Sequence, residues 1–390
     1  MDYRIFHRDN NYPTTLNTEE IEQPYQALQA FLADIPCEVF RQDLENLLYA
    51  QFKPFGWKEY GAPANLYRTC YNVKKLLDIL WLINTCCKSK DLQPELSYTE
   101  RRKMQQYYRR SFKGLFNSTP TDIEELPQLD PYLTLVEFFN DISLTVWKNS
   151  INLWAYMALS SSYMFFIDED FFGVGNNTLI RDYRCISGII SAAYQLEPVK
   201  LDTAVMQRLS FFKIFATDID HPQSFEEMEI KEPRMVLNYV HFYMDSRQLP
   251  EVINTWRGML ASTDHWHYHT DPGNVIFIKE NLVMQIETAW MLLLIEGDKT
   301  HRVRSNAKLV NPDFFPDLNM EEQSDPFSVI EQFFDSQNLC VWTELLEDWI
   351  YGSLTDKNEK ALLNSRVTEK TCNQLIKLLQ ALYLINKRFD

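Results

Sequence analysis

The sequence places three histidines within five residues, which brings three potential metal ligands together. The cluster consists of His265, His267 and His269, with Asp264 and Asp271 beside it. Alternate residues of an extended strand face the same side, so a strand here would present all three imidazoles to one transition-metal ion. The turn residues Asp271-Pro272-Gly273 then predict a small β-hairpin near residues 265–278.

A helix is the alternative for the same segment. Asp271 suits an N-cap and Pro272 the first position of a helix that runs to Ile295, which would leave the histidines on the approach to it. The spacing matches no catalytic zinc motif, since neither H-E-x-x-H nor H-x-H-x-D-H occurs. Three interpretations are open: the metal site of a hydrolase, a contact with a nucleic-acid or protein partner, and a structural role in which Trp266 and Tyr268 pack inward. No other cofactor is expected.

A second candidate site pairs Arg234 with His241, on a segment that predicts a helix from Pro233 to Tyr243. The spacing resembles the R-x4–6-H motif of HEPN ribonucleases, a helical family. The resemblance implies that the arginine and histidine of paired subunits meet and cleave RNA without a metal. In such a site the histidine would move the 2′-hydroxyl proton and the arginine would stabilise the phosphorane charge.

A basic and aromatic segment follows the capping box Ser97-x-x-Glu100, which predicts a helix through Phe112. Its candidate binding residues are Arg101, Arg102, Lys103, Arg109, Arg110, Tyr107 and Tyr108. Cations and stacking rings on one helix could bind RNA or single-stranded DNA within residues 101–113. The alternatives are a solvated face that pairs with acidic residues of the same chain, such as those of residues 311–335, and a contact with an acidic protein partner.

The composition favours an all-α, multi-helix, non-repeat fold. Ten glycines in 390 residues are about 2.6%, against a typical ~7%, and a β protein needs glycine for many of its turns. The formal charge of −16 argues against a general DNA-coating surface. None of the seven cysteines forms a C-x-x-C pair, and the N-terminal residues lack the apolar core of a secretory signal. We therefore expect a reduced, cytoplasmic protein.

Turn-rich stretches predict linkers at residues 117–131 and 297–328. They divide the chain into an N-terminal helical region, residues 1–116, a central helical region, residues 132–296, and a C-terminal helical subdomain, residues 329–390. All three could also form one compact body.

Two further helices are expected around the middle of the chain. Asp130-Pro131 predicts the start of a helix through residues 133–147. The uncharged stretch 149–167 is nearly long enough to span a membrane, but its asparagines and serines favour a buried core helix.

No established catalytic constellation appears, since G-x-S-x-G is missing and no Ser–His–Asp or Cys–His nucleophile system can be argued from the sequence. We therefore expect a non-catalytic helical protein with an interaction or regulatory role, which binds a protein or nucleic-acid partner and has no membrane span. A protein partner is preferred. The alternatives are a HEPN-like metal-independent ribonuclease that uses Arg234 and His241, and a metal-dependent hydrolase that uses the histidine cluster.

Overall fold

The structure is a computed structural model, and it describes residues 13–86, 131–160, 176–198, 206–207, 209, 232–243, 249–261, 271–296, 315–355 and 369–389. These residues form fourteen α-helices, one short 3-10 helix and no strand, which confirms the predicted all-α fold. The α-helices are α1 (Thr18–Glu22), α2 (Pro24–Asp34), α3 (Cys37–Ala50), α4 (Pro63–Cys86), α5 (Pro131–Asp141), α6 (Leu144–Leu159), α7 (Asn176–Ala193), α8 (Pro233–Tyr243), α9 (Leu249–Ala261), α10 (Pro272–Glu296), α11 (Met320–Ser324), α12 (Pro326–Ser336), α13 (Leu339–Leu354) and α14 (Glu369–Phe389), and the 3-10 helix is Gly56–Glu59.

The predicted hairpin near residues 265–278 is wrong, because α10 occupies its second half. This helix begins at Pro272, so residues 275–278 are helical and the second strand of the hairpin does not form. Asp271 caps the helix, because its Oδ1 accepts a hydrogen bond of 3.0 Å from the Gly273 amide. Asp-Pro-Gly serves a turn and a helix start equally well, and the long apolar run that follows favours the helix. His265, His267 and His269 lie outside the described residues.

Short polar caps and prolines set many of the helix boundaries. The Asn17 side chain caps α1 and Asn319 caps α11, each in a reciprocal capping box. The helix predicted through residues 133–147 is divided in two, since α5 ends at Asp141 and Ser143 caps α6 through a bond from the Val146 amide to its Oγ.

The chain divides into two compact units. The N-terminal unit comprises residues 11–60 and 68–218, and the C-terminal unit comprises residues 1–10, 61–67 and 219–390. The predicted division into three regions stays a prediction. Part of the predicted linker 297–328 is helical, because it contains α11 and the start of α12.

In the N-terminal unit, α3 packs against α6 and α7, and α5 packs against α7. The buried residues of α3 recur every three or four positions, as on one face of an amphipathic helix; they are Phe40, Leu44, Leu47 and Leu48. Phe138 of α5 stacks on Trp147 of α6, with ring centroids 4.5 Å apart. Large aromatic side chains therefore pack between the helices in the core of this unit.

The uncharged stretch that begins at residue 149 contributes to this core. Ile151, Trp154 and Ala158 of α6 are buried, as predicted for a core helix. Within the part of the chain that the structure describes, no helix is long and apolar enough to cross a bilayer.

In the C-terminal unit, α10 packs against α8, α12, α13 and α14. Neighbours on several sides explain why its apolar residues do not follow a single stripe. Trp256 of α9 and Trp349 of α13 meet edge to face at 5.9 Å, and both are fully buried. This unit is thus built around one long central helix.

The cysteines described are free thiols; they are Cys37, Cys70, Cys185, Cys340 and Cys372. Burial raises the pKa of Cys70 to about 12, so this thiol stays protonated and packs as a small apolar side chain. The cytoplasmic location stays a prediction.

Candidate interaction site

The structure places Arg234 and His241 on one helix, α8, which has the predicted bounds Pro233–Tyr243. Positions seven apart lie on the same side of an α-helix, because seven residues are close to two turns. Arg234 is half-buried. The side chain of His241 lies outside the described residues, so the ribonuclease role of the pair stays a prediction.

The other candidate residues fall where the structure gives no description. The basic segment with Arg101, Arg102, Lys103, Tyr107, Tyr108, Arg109 and Arg110 is one case, and the histidine cluster is the other. Their nucleic-acid and metal roles stay predictions. In the described ranges no three His, Cys, Asp or Glu side chains lie close enough to hold a metal ion.

A buried charge network in the N-terminal unit centres on Asp78 of α4, whose side chain is fully buried. Its Oδ1 lies 2.5 Å from Lys148 Nζ of α6. Its Oδ2 accepts hydrogen bonds from the amides of Thr14 and Thr15, at 2.8 and 2.9 Å, and from the Thr15 hydroxyl. Lys148 also donates to Thr14 Oγ1 at 2.8 Å. The network therefore ties the segment before α1 to α4 and α6.

Opposing effects act on the pKa of Lys148. Burial lowers the pKa of Lys148, the Asp78 carboxylate counteracts this, and the nearby Lys74 ammonium lowers it further. Lys74 itself donates to Asn152 Oδ1 at 3.0 Å. Because Lys148 is paired on two sides, the arrangement is that of an internal anchor rather than of an exposed nucleophile.

A second buried cation lies in the C-terminal unit. Lys279 Nζ of α10 is 2.5 Å from Glu347 of α13 and 3.0 Å from Glu280. Tyr67 donates its hydroxyl hydrogen to Glu347. Burial lowers the pKa of Lys279, but the two carboxylates outweigh it and hold the pKa above its ordinary value. The lysine therefore stays charged at neutral pH and joins α10 to α13.

The loop after α3 differs from these networks, because it presents a large apolar side chain to solvent. We call residues 51–60 the aromatic loop. Phe55, at its tip, is 46% exposed, whereas Trp57 is buried. The loop ends in the 3-10 helix, which packs against α3 and α6.

Phe55 adopts a left-handed backbone conformation, with φ 55° and ψ 28°, and in the described residues no other non-glycine has a positive φ. For a residue with a Cβ this region costs about 1–2 kcal/mol. The next residue passes close to the end of α3. A Cβ on Gly56 would lie 2.2 Å from the carbonyl oxygen of Ala50, so this close approach needs glycine.

Two side-chain contacts hold the loop in this shape. Lys53 Nζ lies 2.7 Å and 3.0 Å from the two carboxylate oxygens of Glu59, and this contact raises the pKa of Lys53. The Lys58 ammonium lies 4.6 Å from the Phe55 ring centroid and 5.4 Å from that of Trp57, within the range of cation–π contacts. The loop is therefore pre-organised around an exposed ring.

Two tyrosines lie at the ends of the aromatic loop, Tyr49 in the last turn of α3 and Tyr60 at the end of the loop. Burial, followed by a hydrogen bond with Glu45, raises the pKa of Tyr49 to about 12. Burial and then Glu59 raise the pKa of Tyr60, and Lys53 opposes the change. Both phenols therefore stay protonated at neutral pH.

The strained backbone at Phe55 allows a test of whether the Phe55 ring contributes to the stability of the fold. Phe55→Asn is expected to leave the free energy of unfolding unchanged or to raise it by up to about 1 kcal/mol, because asparagine tolerates the left-handed region and the lost ring is half exposed. Gly56→Ala is expected to lower it by about 1–3 kcal/mol, because the added methyl meets Ala50. Urea denaturation followed by circular dichroism measures both. A loss above about 1 kcal/mol in Phe55→Asn would mean that the ring supports the fold.

Sequence reasoning did not find the Asp78 network or the aromatic loop. Single charges inside apolar helical runs, such as Asp78 in LLDILWLI, were an available signal for the network. The run YAQFKPFGWKEY was a signal for the loop, since its aromatic residues surround a Pro-Phe-Gly turn.

Comparison with known proteins gives no relative for this chain: no family model, no curated protein and no solved structure matches it.

Proposed function

We propose that the protein is a non-catalytic interaction or regulatory protein that binds a protein or nucleic-acid partner, and that the aromatic loop is one of its contact surfaces. The observation that carries the proposal is the exposed Phe55 ring in a left-handed backbone conformation. Strained residues persist only where surrounding contacts hold them, and they concentrate at functional sites. A ring that is held in solvent at such a cost supports a binding role.

The burial of the charged groups supports the same proposal. Asp78 and Lys148 are paired with each other, and Lys279 is paired with Glu347. These groups hold helices together inside each unit. Phe55, in contrast, lies at the surface, where the Lys58 ammonium packs over its ring. Aromatic side chains in rigid surroundings lose little entropy on binding, which makes them frequent anchors of interfaces.

The experiment is recovery of partners from the native host at near-physiological salt, with the full chain tagged at its C-terminus and with proteins and nucleic acids both identified. A specific partner is expected with the unaltered chain. Phe55→Asn is expected to reduce its recovery by at least about tenfold, because truncation of an aromatic anchor commonly costs 2 kcal/mol or more.

Val39→Asn is the matched control. Val39 is 50% exposed and lies near the first residue of α3, whereas the aromatic loop follows the last. Partner recovery is expected to be unchanged in this variant. Equal recovery with Phe55→Asn and with the unaltered chain would exclude the aromatic loop as a contact surface.

A further inference from the structure

We propose that the aromatic loop recognises a protein segment that packs apolar side chains against Phe55 and places a carboxylate beside Lys58. This inference rests on the proposed function and names the chemistry of the partner. It follows from the charges around the exposed ring, from their pairing and from their distances.

The loop contains two lysines, and among the described residues only Lys53 is paired with a carboxylate. Lys53 is paired with Glu59 through both carboxylate oxygens. Lys58 has no carboxylate partner in the part of the chain that the structure describes, and its ammonium lies over the Phe55 and Trp57 rings instead. Among the described residues, the exposed ring therefore has beside it one positive charge that no carboxylate pairs with.

The position of that charge decides what the partner must bring. Lys58 Nζ is 4.6 Å from the centroid of the Phe55 ring. A carboxylate that pairs with Lys58 must therefore lie next to the same ring, and apolar side chains must cover the rest of the ring to remove it from water. An aliphatic or aromatic residue close to Asp or Glu in a partner chain meets both requirements.

Nucleic acid fits this surface less well. A polyanion needs several cations to replace its counterions, and this loop offers Lys58 alone after Lys53 is paired. The formal charge of −16 on the whole chain adds repulsion. The same repulsion acts between two copies of the chain. A single carboxylate on a protein segment avoids the difficulty, because its one negative charge is matched by the Lys58 ammonium beside the ring.

The probe for this proposal is a phage-displayed library of random linear peptides, selected on the full chain after depletion on Phe55→Asn. Peptides that combine Asp or Glu with large apolar residues are expected. A synthetic peptide from the selection is expected to bind roughly 30-fold more weakly to Phe55→Asn, since 2 kcal/mol corresponds to that ratio. Lys58→Glu is expected to weaken it by roughly tenfold, and Lys58→Arg to preserve binding.

Three results would overturn the proposal. If the selected peptides bind Lys58→Glu with the same affinity as the unaltered chain, the partner needs no carboxylate beside Lys58. Phe55-dependent binding of poly(U) RNA or of phosphatidylserine vesicles, in place of peptides, would assign the loop to another class of partner. Phe55-dependent dimers in sedimentation velocity would make a second copy the occupant.

These outcomes are distinct from a failure of the proposed function. If Phe55→Asn loses the native partner while Lys58→Glu keeps it, the interaction role stands, and the inference that the partner has a carboxylate beside Lys58 is wrong. If Phe55→Asn keeps the native partner, the proposed function of the loop itself fails.

Discussion

Asp78→Ala is expected to lower the free energy of unfolding of the N-terminal unit by about 3–5 kcal/mol, the usual cost of leaving a buried charge without its counterion. The substitution orphans the Lys148 ammonium, which is only 12% exposed, and removes the acceptor of two backbone amides. Urea denaturation measures the total loss. Hydrogen exchange of peptides from α4 and α6 places it in this unit.

The pH dependence of Asp78→Ala is a second observable of the same variant. Without the carboxylate, burial and Lys74 act on Lys148 unopposed and its pKa falls further below the ordinary ~10.4. Between the lowered pKa and ~10.4 the unfolded state binds more protons than the folded state, so stability rises with pH. The loss measured at about pH 9 is therefore expected to be smaller than at about pH 7.

Two further variants control this prediction. Adding Lys148→Met to Asp78→Ala removes the orphaned cation, and it is expected to restore about half of the loss. Asp34→Ala, at an exposed position at the end of α2, is expected to change stability by less than about 0.5 kcal/mol. An Asp78→Ala protein within about 1 kcal/mol of the unaltered chain would show that the network carries no net stability.

Lys279→Met is expected to lower the stability of the C-terminal unit by about 2–4 kcal/mol. It leaves Glu280 and Glu347 close together without the cation between them. We expect a smaller loss of stability than in Asp78→Ala, because the Glu347 side chain is 32% exposed and water can solvate it. Equilibrium denaturation at neutral pH measures the loss.

The sign of the pH effect is opposite in this unit. The folded-state pKa of Lys279 is raised, so its contribution is fully present below the ordinary ~10.4 and is lost as pH rises through the raised value. The difference between the unaltered chain and Lys279→Met is therefore expected to stay constant from about pH 6 to 9 and to shrink in stronger base.

Lys370→Met is the control in the same unit. Lys370 is exposed and lies in the first turn of α14. Removing its charge is expected to change stability by less than about 0.5 kcal/mol. Equal losses in Lys279→Met and Lys370→Met would mean that the buried ion pair of Lys279 adds no stability.

The all-α class could be predicted from the sequence because glycine scarcity and helical periodicity point the same way. The start of α8 at Pro233 could also be predicted, since proline at the first helical position is a local signal. The hairpin was wrong because Asp271-Pro272-Gly273 is compatible with both a turn and a helix start. The break at Ser143 was missed because a capping serine inside an apolar periodic run looks like an ordinary exposed position.

The candidate site could not be predicted, because its determinants are contacts between distant residues. A left-handed phenylalanine is rare, and at Phe55 it occurs beside the close approach of Gly56 to Ala50. The burial of Asp78 depends on Thr14, which is 64 residues away in the chain. Local periodicity gives no information about such pairs.

The anchor formed by Asp78 also has a consequence for the order of folding. Lys148 donates to Thr14 across 134 residues, so the contact closes a long loop. Contacts of high sequence separation form late, after local helices, because closing the loop costs chain entropy first. During synthesis, Thr14, Thr15 and Asp78 leave the ribosome well before Lys148 does. The N-terminal unit must therefore carry the Asp78 carboxylate without its lysine partner until α6 has been made, and its final consolidation follows synthesis of that helix.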